Sequence, residues 1–304
     1  MACYSPLRGY LSRYVSTNGK RPITFDASSG YVDKPMTVPC GVCIGCRIDR
    51  TRQWALRCVH ESKLHTFNSF VTLTYNDENL PPGGALDKTH LQEFFKRLRS
   101  SGLRFRYFAC GEYGDLNKRP HYHVLFFGEA FTLDRKKTNK SKHGGQNYSS
   151  AFLEAKWGLG IVQVSDFNYK TAAYTARYCV SKLSGKMAEY EQTYSRVVPE
   201  TGEIIMVPPE FALMSRRPGL GDGWYQRNKN DAFPSDFLIH EGKKYPVPRF
   251  YTEKLKKESE VIHKEVKLSR KHAQKKQAHN ATPDRLYVRE ECHKAKLTNQ
   301  RRNI

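Results

Sequence analysis

The clearest alternation of apolar and polar positions lies in Phe67–Tyr75, where Val71, Leu73 and Tyr75 interleave with Thr72 and Thr74. That period of two predicts a half-buried β-strand. Arg106–Gly111, Arg119–Phe127 and Gly160–Val164 read as further strands, the second anchored by Val124–Phe127. Between them the period changes. Leu91, Phe94, Phe95 and Leu98 fall at helical spacing, with Lys96, Arg97 and Arg99 between them. Arg47–Leu64 and Asn168–Leu183 predict two more helices. Asn76–Gly84 reads as a turn-forming loop, and Asp134–Ser150 as a polar, basic loop. The chain therefore divides into an extended N-terminal arm (1–38), a cysteine cluster with a helix (39–66), a central α+β domain (67–225), and a loop-rich, basic helical C-terminal region (226–304). No internal repeat is visible.

Composition changes the picture in one respect. The 304 residues carry 51 Lys and Arg against 30 Asp and Glu, a formal net charge of +21. That excess predicts attraction to a polyanion, and nucleic acid above all. No apolar run is long enough to span a bilayer and no signal peptide precedes Tyr14, so a soluble, cytoplasmic protein without a membrane partner is expected. Eight cysteines in so large and polar a chain fit a reducing compartment better than a secreted disulfide framework.

The candidate chemistry begins at Pro120-His121-Tyr122-His123-Val124. Residues two apart on a strand share a face, so His121 and His123 can share one cation. Glu112, at the end of the preceding strand, can complete a site of two imidazoles and one carboxylate suited to Mg²⁺ or Mn²⁺. The competing readings are a packed histidine pair and a turn carboxylate paired with Arg119. A third element is the stripe Tyr174, Tyr178 and Lys182, which recurs every four residues and so stands on one helical face. Together these describe phosphodiester transfer through tyrosine. A cation polarises the phosphate, a phenol displaces a 3′-hydroxyl to leave a 5′-phosphotyrosine, and Lys182 or Arg177 assists ionisation.

Those residues resemble the HUH endonucleases of rolling-circle replication, whose strand pattern is His-hydrophobe-His with a tyrosine helix beyond it. Phe70-Val71-Thr72-Leu73-Thr74-Tyr75 is similar to that superfamily's first strand motif. Pro39-Cys40-Gly41-Val42-Cys43-Ile44-Gly45-Cys46-Arg47, Trp54-Ala55-Leu56-Arg57, His60-Glu61 and Met214–Gly221 narrow the likeness to the two-tyrosine replication initiators of gokushovirus-type microviruses. The resemblance implies nicking and unit-length rejoining of viral DNA, single-stranded and replicative-form, in the cytoplasm of a bacterial host, with a host helicase and polymerase as partners. It also implies a ferredoxin-like, RRM-like palm: a central antiparallel sheet carrying the histidines, with helices on one face.

Cys40-x₂-Cys43-x₂-Cys46 in a reducing compartment suggests structural Zn²⁺, with Cys58 or His60 completing the set. The competing reading is a tight Gly-rich turn with merely buried thiols. Candidate DNA contacts are Arg119, Arg177, Arg216 and Arg217, the last two beside a Pro-Gly turn that can aim them at phosphate. The basic runs on the two predicted helices and in the 135–142 loop are weaker candidates. Three other classes compete: a transposase or relaxase with the same site, a non-enzymatic DNA-packaging protein, and an RNA-binding protein with a cysteine zinc site.

Overall fold

A computed structural model describes residues 3–114, 117–140, 145–178, 193–198 and 201–302. They group into two units, residues 51–266 and residues 1–50 with 267–304.

The larger unit is built on a seven-stranded sheet in which every neighbouring pair is antiparallel. Three short N-terminal strands of the other unit precede it in the chain: β1 (Leu7–Ser12), β2 (Ile23–Thr24) and β3 (Gly30–Val38). Helix α1 (Ile44–Ser62) follows and runs from one unit into the other. The sheet then begins with β4 (Asn68–Tyr75), followed by helix α2 (Lys88–Ser100), β5 (Arg106–Tyr113) and β6 (Pro120–Phe127). Next come β7 (Lys136–Lys140), β8 (Gln146–Ser149), helix α3 (Ala151–Trp157), β9 (Gly160–Asp166) and helix α4 (Tyr169–Tyr178). After the hairpin β10 (Ser195–Val197) and β11 (Ile204–Met206), β12 (Phe211–Met214) returns to the edge of β5. The spatial order is β12-β5-β6-β4-β9-β8-β7.

Strand alternation sorts the core. Val71, Leu73 and Tyr75 of β4 and Tyr122, Val124 and Phe126 of β6 face α2 and α3, joining Leu91, Phe94, Phe95, Leu98, Leu153 and Trp157 in one apolar cluster. The opposite residues, Phe108, Leu125 and Phe127, pack with Ala55 and Cys58 of α1 and with Ala172 and Ala176 of α4. Helices therefore cover both faces of the sheet rather than one. The two that link strands of the sheet, α2 and α3, share a face, and the histidine-bearing face is covered by α1 and α4. Alanine at 172 and 176, both fully buried, lets α4 lie close to the strands.

Local sequence explains the helix starts. The Asp87 carboxylate accepts the Thr89 amide at 2.6 Å, and the Ser150 hydroxyl accepts the Leu153 amide at 3.2 Å. Asn168 caps α4 reciprocally: its Oδ1 accepts the Thr171 amide at 2.9 Å, while its own amide donates to the Thr171 hydroxyl at 3.0 Å.

Several segments differ from their sequence reading. The 134–150 stretch is not a loop, because β7 and β8 extend the sheet with polar residues exposed at its edge. In the Pro-rich region after 190, β12 joins the sheet. Helix α5 (Asp222–Ala232), the hairpin β13 (Phe237–His240) and β14 (Lys243–Pro246), and helix α6 (Arg249–Glu258) form a satellite core around Trp224, Tyr225, Tyr251 and Leu255. In the smaller unit, Leu7–Val38 forms a three-stranded antiparallel sheet instead of an unstructured arm. The basic C-terminal stretch folds as helices α7 (Glu260–Lys276) and α8 (Pro283–Arg302).

Candidate active site and metal centres

The register of the β5–β6 hairpin sets Glu112 directly opposite His121 and Cys110 opposite His123. Glu112, His121 and His123 therefore stand on one face, two strands wide, beneath α4. Both imidazole Nε2 atoms reach the same carboxylate oxygen, Glu112 Oε1, at 2.9 Å from His121 and 2.8 Å from His123. The other oxygen, Oε2, is buried and has no hydrogen-bond partner. Burial alone would raise the Glu112 carboxyl, but the hydrogen bonds from His121 and His123 outweigh it and hold the group down to about 2. Burial pushes His123 in the neutral direction.

This donor set fits a divalent cation. One ligand atom from each residue lies within 4.8 Å of the others, and two imidazoles with an ionised carboxylate are the expected mixture. Ligation through Nε2 requires the proton of His123 on Nδ1, and Thr72 Oγ1 stands 3.0 Å from that atom to accept it. Phe70 stacks on the His123 ring with centroids 5.4 Å apart and planes 13° apart, fixing its orientation. Neither Thr72 nor Phe70 is distinguished by sequence alone. Their signal is register: both lie on the β4 face that β6 presents to α4, with Thr72 paired to His123.

Tyr174 projects from α4 into this group. Its hydroxyl donates to Glu112 Oε1 at 3.1 Å, and its ring meets His123 edge-on at 5.0 Å. The exposed Arg177 guanidinium lies 5.2 Å from the Tyr174 ring centroid. Tyr178 is the last residue of α4, one turn beyond Tyr174; its side chain and all of Lys182 lie outside the described residues.

The predicted DNA-contacting arginines separate. Arg119 clamps the hairpin to the end of β4, with Nη2 donating to the Tyr75 carbonyl at 2.8 Å and Nη1 pairing with Asp77 at 2.7 Å. Arg216 and Arg217 are exposed, in the turn after β12. Because Met214 pairs with Phe108, four residues before Glu112, that turn lies at the other end of β5, roughly 20 Å from the histidines by strand rise. The turn is firmly held: the Leu220 carbonyl accepts Arg57 Nε at 3.0 Å, the Pro218 carbonyl accepts Arg106 Nη2 at 2.6 Å, and buried Glu61 accepts the Gly221 amide at 2.7 Å. Some other basic candidates are structural. Arg97 donates to the Lys156 and Trp157 carbonyls at 2.6 and 3.0 Å, and Arg135 pairs with Asp166 at 3.0 Å.

The cysteine expectation needs one correction. Cys40, Cys43 and Cys46 do converge, but the fourth thiol is Cys3. Cys58 is fully buried in the apolar cluster with Ala55 and Phe108, where its thiol serves as a small core side chain. His60, the other candidate, stacks on Trp224 at 3.6 Å and hydrogen-bonds the Tyr251 hydroxyl at 2.9 Å. Among the described residues, no helix is long and apolar enough to cross a membrane.

Known proteins agree with the geometry. The family model for the replication-associated protein ORF2 matches residues 68–183, the stretch that carries Glu112, both histidines and α4. The replication-associated protein ORF2 of Spiroplasma virus 4 is 30% identical over 279 residues, covering 85% of this chain and 81% of that protein. VP4 of Bdellovibrio phage phiMH2K, also a replication-associated protein, is 31% identical over 230 residues, 72% of this chain and 67% of its own. ORF4 of Chlamydia phage 1 is 26% identical over 247 residues, covering 77% and 58% respectively. No solved structure matches. With identity near 30% sustained across most of both chains, this chain belongs to the family of replication-associated proteins that these phage proteins represent.

Proposed function

We propose that the protein is a metal-dependent, tyrosine-nucleophile DNA strand transferase that initiates rolling-circle replication of a phage genome in the bacterial cytoplasm. One observation carries the reading: the Tyr174 hydroxyl reaches the same carboxylate oxygen as both imidazoles, so a phenol stands within the ligand set of a cation site. A Mg²⁺ or Mn²⁺ ion held by Glu112, His121 and His123 would polarise the scissile phosphate and stabilise charge developing on it. The rest of the chemistry belongs to the chain. Tyr174 gives up its phenolic proton and forms a bond to phosphorus. The bond from phosphorus to the 3′-oxygen breaks, that oxygen leaves with a proton as a 3′-hydroxyl, and the 5′-phosphate remains on the tyrosine. No bond energy is lost to water, so a second strand end can reverse the step.

Tyr178 is proposed as the alternate nucleophile, and Lys182 with Arg177 as cations that favour the phenolate. Arg119, Arg216 and Arg217 are proposed phosphate contacts. Arg216 and Arg217 would act at a distance from the reacting bond, where contacts set register rather than chemistry. The sheet supports a ferredoxin-like palm: β4-α2-β5-β6-α3-β9 in spatial order β5-β6-β4-β9, with both intervening helices on one face.

The test is a covalent adduct. Purified protein, Mn²⁺ and single-stranded oligonucleotides tiled across the phage origin should give a DNA strand joined to protein through its 5′ end. His123→Ala should abolish it. Tyr174→Phe and Tyr178→Phe should each impair nicking or rejoining and together eliminate the adduct. Folded protein that binds DNA yet gives no adduct on any tile would instead support the packaging reading.

A further inference from the structure

The smaller unit contains a second convergence of ligand atoms, remote in sequence from the histidines. Cys3 comes from the segment before β1, Cys40 and Cys43 from the turn after β3, and Cys46 from the first turn of α1. Gly41, between the first pair, has φ +80°, a conformation open to glycine that lets the turn fold its two thiols toward one point. We infer that Cys3, Cys40, Cys43 and Cys46 bind one structural zinc ion that fastens the segment before β1 to the start of α1.

Three observations carry this. The first is metric. Four thiolates bound tetrahedrally at 2.3 Å are separated by about 3.8 Å along each edge. Cys3 Sγ lies 3.7 Å from Cys40 Sγ and 3.9 Å from Cys43 Sγ, and all four sulfurs fall within 4.8 Å of one another. A disulfide would bring a pair to about 2.05 Å, and all four cysteines are free thiols. The space suits one ion rather than a multi-metal cluster.

The second is the pattern of backbone donors. The Cys40 amide donates to Cys3 Sγ, the Tyr4 amide to Cys43 Sγ and the Cys43 amide to Cys40 Sγ, each at 3.3 Å. Amide donors aimed at sulfur favour thiolate over thiol, and the N-terminus of α1 adds positive potential where Cys43 and Cys46 sit. The third is that the cluster is tied down from a second direction. The Tyr4 hydroxyl hydrogen-bonds His293 Nδ1 of α8 at 2.8 Å, and the Arg289 guanidinium lies 5.9 Å from the centre of its ring. The residue next to Cys3 is thus held by the last helix of the same unit, as a site that fixes this segment requires.

Zinc at this site is independent of the Glu112 centre, and the experiment separates them. In a His121→Ala/His123→Ala background, the full-length protein should retain one zinc per chain by elemental analysis after dialysis. Replacement by Co²⁺ should give the sulfur-to-cobalt charge-transfer and intense visible bands of tetrahedral thiolate ligation, which histidine and carboxylate ligands cannot produce. Cys3→Ser and Cys43→Ser should each abolish or shift that spectrum, whereas Cys292→Ser, exposed in α8, should leave it unchanged. Absence of the thiolate–cobalt bands in the parent protein, which needs no variant to fold, would overturn the inference. So would zinc content and spectrum unaffected by Cys3→Ser, or a native disulfide among these four found by mass spectrometry.

Discussion

His60 provides a quantitative test of how the satellite core is attached to α1. Its ring is buried, stacked on Trp224 at 3.6 Å, and hydrogen-bonded to the Tyr251 hydroxyl at 2.9 Å. Burial depresses its pKa from 6.5 to about 3, with the charges of Lys63 and His240 contributing in the same direction. The folded state therefore requires neutral imidazole, whereas the unfolded chain accepts a proton near its ordinary pKa. Between pH 6.5 and about 3 the unfolded state binds more protons, so stability is complete above 6.5 and falls as the solution is acidified through that window. At pH 5 the gap from 6.5 is about 1.5 units, and at about 1.4 kcal/mol per unit the loss is about 2 kcal/mol. His60→Gln keeps a donor and an acceptor for Tyr251 but cannot titrate. Urea unfolding at pH 8 and pH 5, followed by tryptophan fluorescence, should show the parent losing about 2 kcal/mol more than the variant on acidification. The variant will be less stable at pH 8, which is why the difference of differences is the quantity to read. Parallel acid losses in both proteins would refute the claim that this ring is held neutral by packing.

Other outcomes follow from particular contacts. Thr72→Val keeps a β-branched side chain but removes the partner of His123 Nδ1; Mn²⁺ affinity measured by calorimetry should fall about 10- to 100-fold. Tyr75→Phe deletes a hydroxyl bonded to His90 at 2.8 Å and to the buried Tyr122 hydroxyl at 2.7 Å, and chemical denaturation should show a loss of about 1–3 kcal/mol. Glu61→Gln weakens a buried carboxylate that pairs with Arg106 at 2.6 Å and accepts the Gly221 amide. It should cost about 3 kcal/mol and speed proteolysis of the turn bearing Arg216 and Arg217, while leaving Mn²⁺ binding at the histidines intact.

The parts of the candidate site legible in sequence are those whose geometry is local. His121 and His123 share a face because a strand alternates, and Tyr174 follows from a helix whose start is written in Asn168 and Thr171. The central strands are equally readable, since their apolar residues alternate against a real core. Partners set by tertiary register are not. Thr72 meets His123 only because β4 pairs with β6 in one of several possible offsets, and no spacing along the chain encodes that choice. The same holds for β12, which reads as a short apolar interruption in a Pro-rich stretch and becomes a strand only against the free edge of β5.

Cys3 and Cys58 show the limit most sharply. By sequence, a thiol in the helix that follows Cys46 is the natural fourth ligand, and an isolated cysteine near Met1 has no spacing to recommend it. Yet the residues of α1 that include Cys58 carry the stripe that covers the sheet, and a thiol turned toward Ala55 and Phe108 is committed to that core. The fourth ligand had to come from outside the helix. β1 and β3 pair antiparallel with Leu7 opposite Val38, which brings the residues just before β1 beside those just after β3. Cys3 and Cys40 sit in those two flanking segments, so the sheet that sequence periodicity failed to reveal is what assembles the cluster. Weakening that pairing should therefore loosen the thiols together, and a proline substitution at Gly9, within the β1 ladder opposite Met36, should lower cobalt–thiolate absorbance without touching a ligand. An unaltered spectrum in that variant would mean the turn and helix alone position the sulfurs, and that the strand pairing is incidental to them.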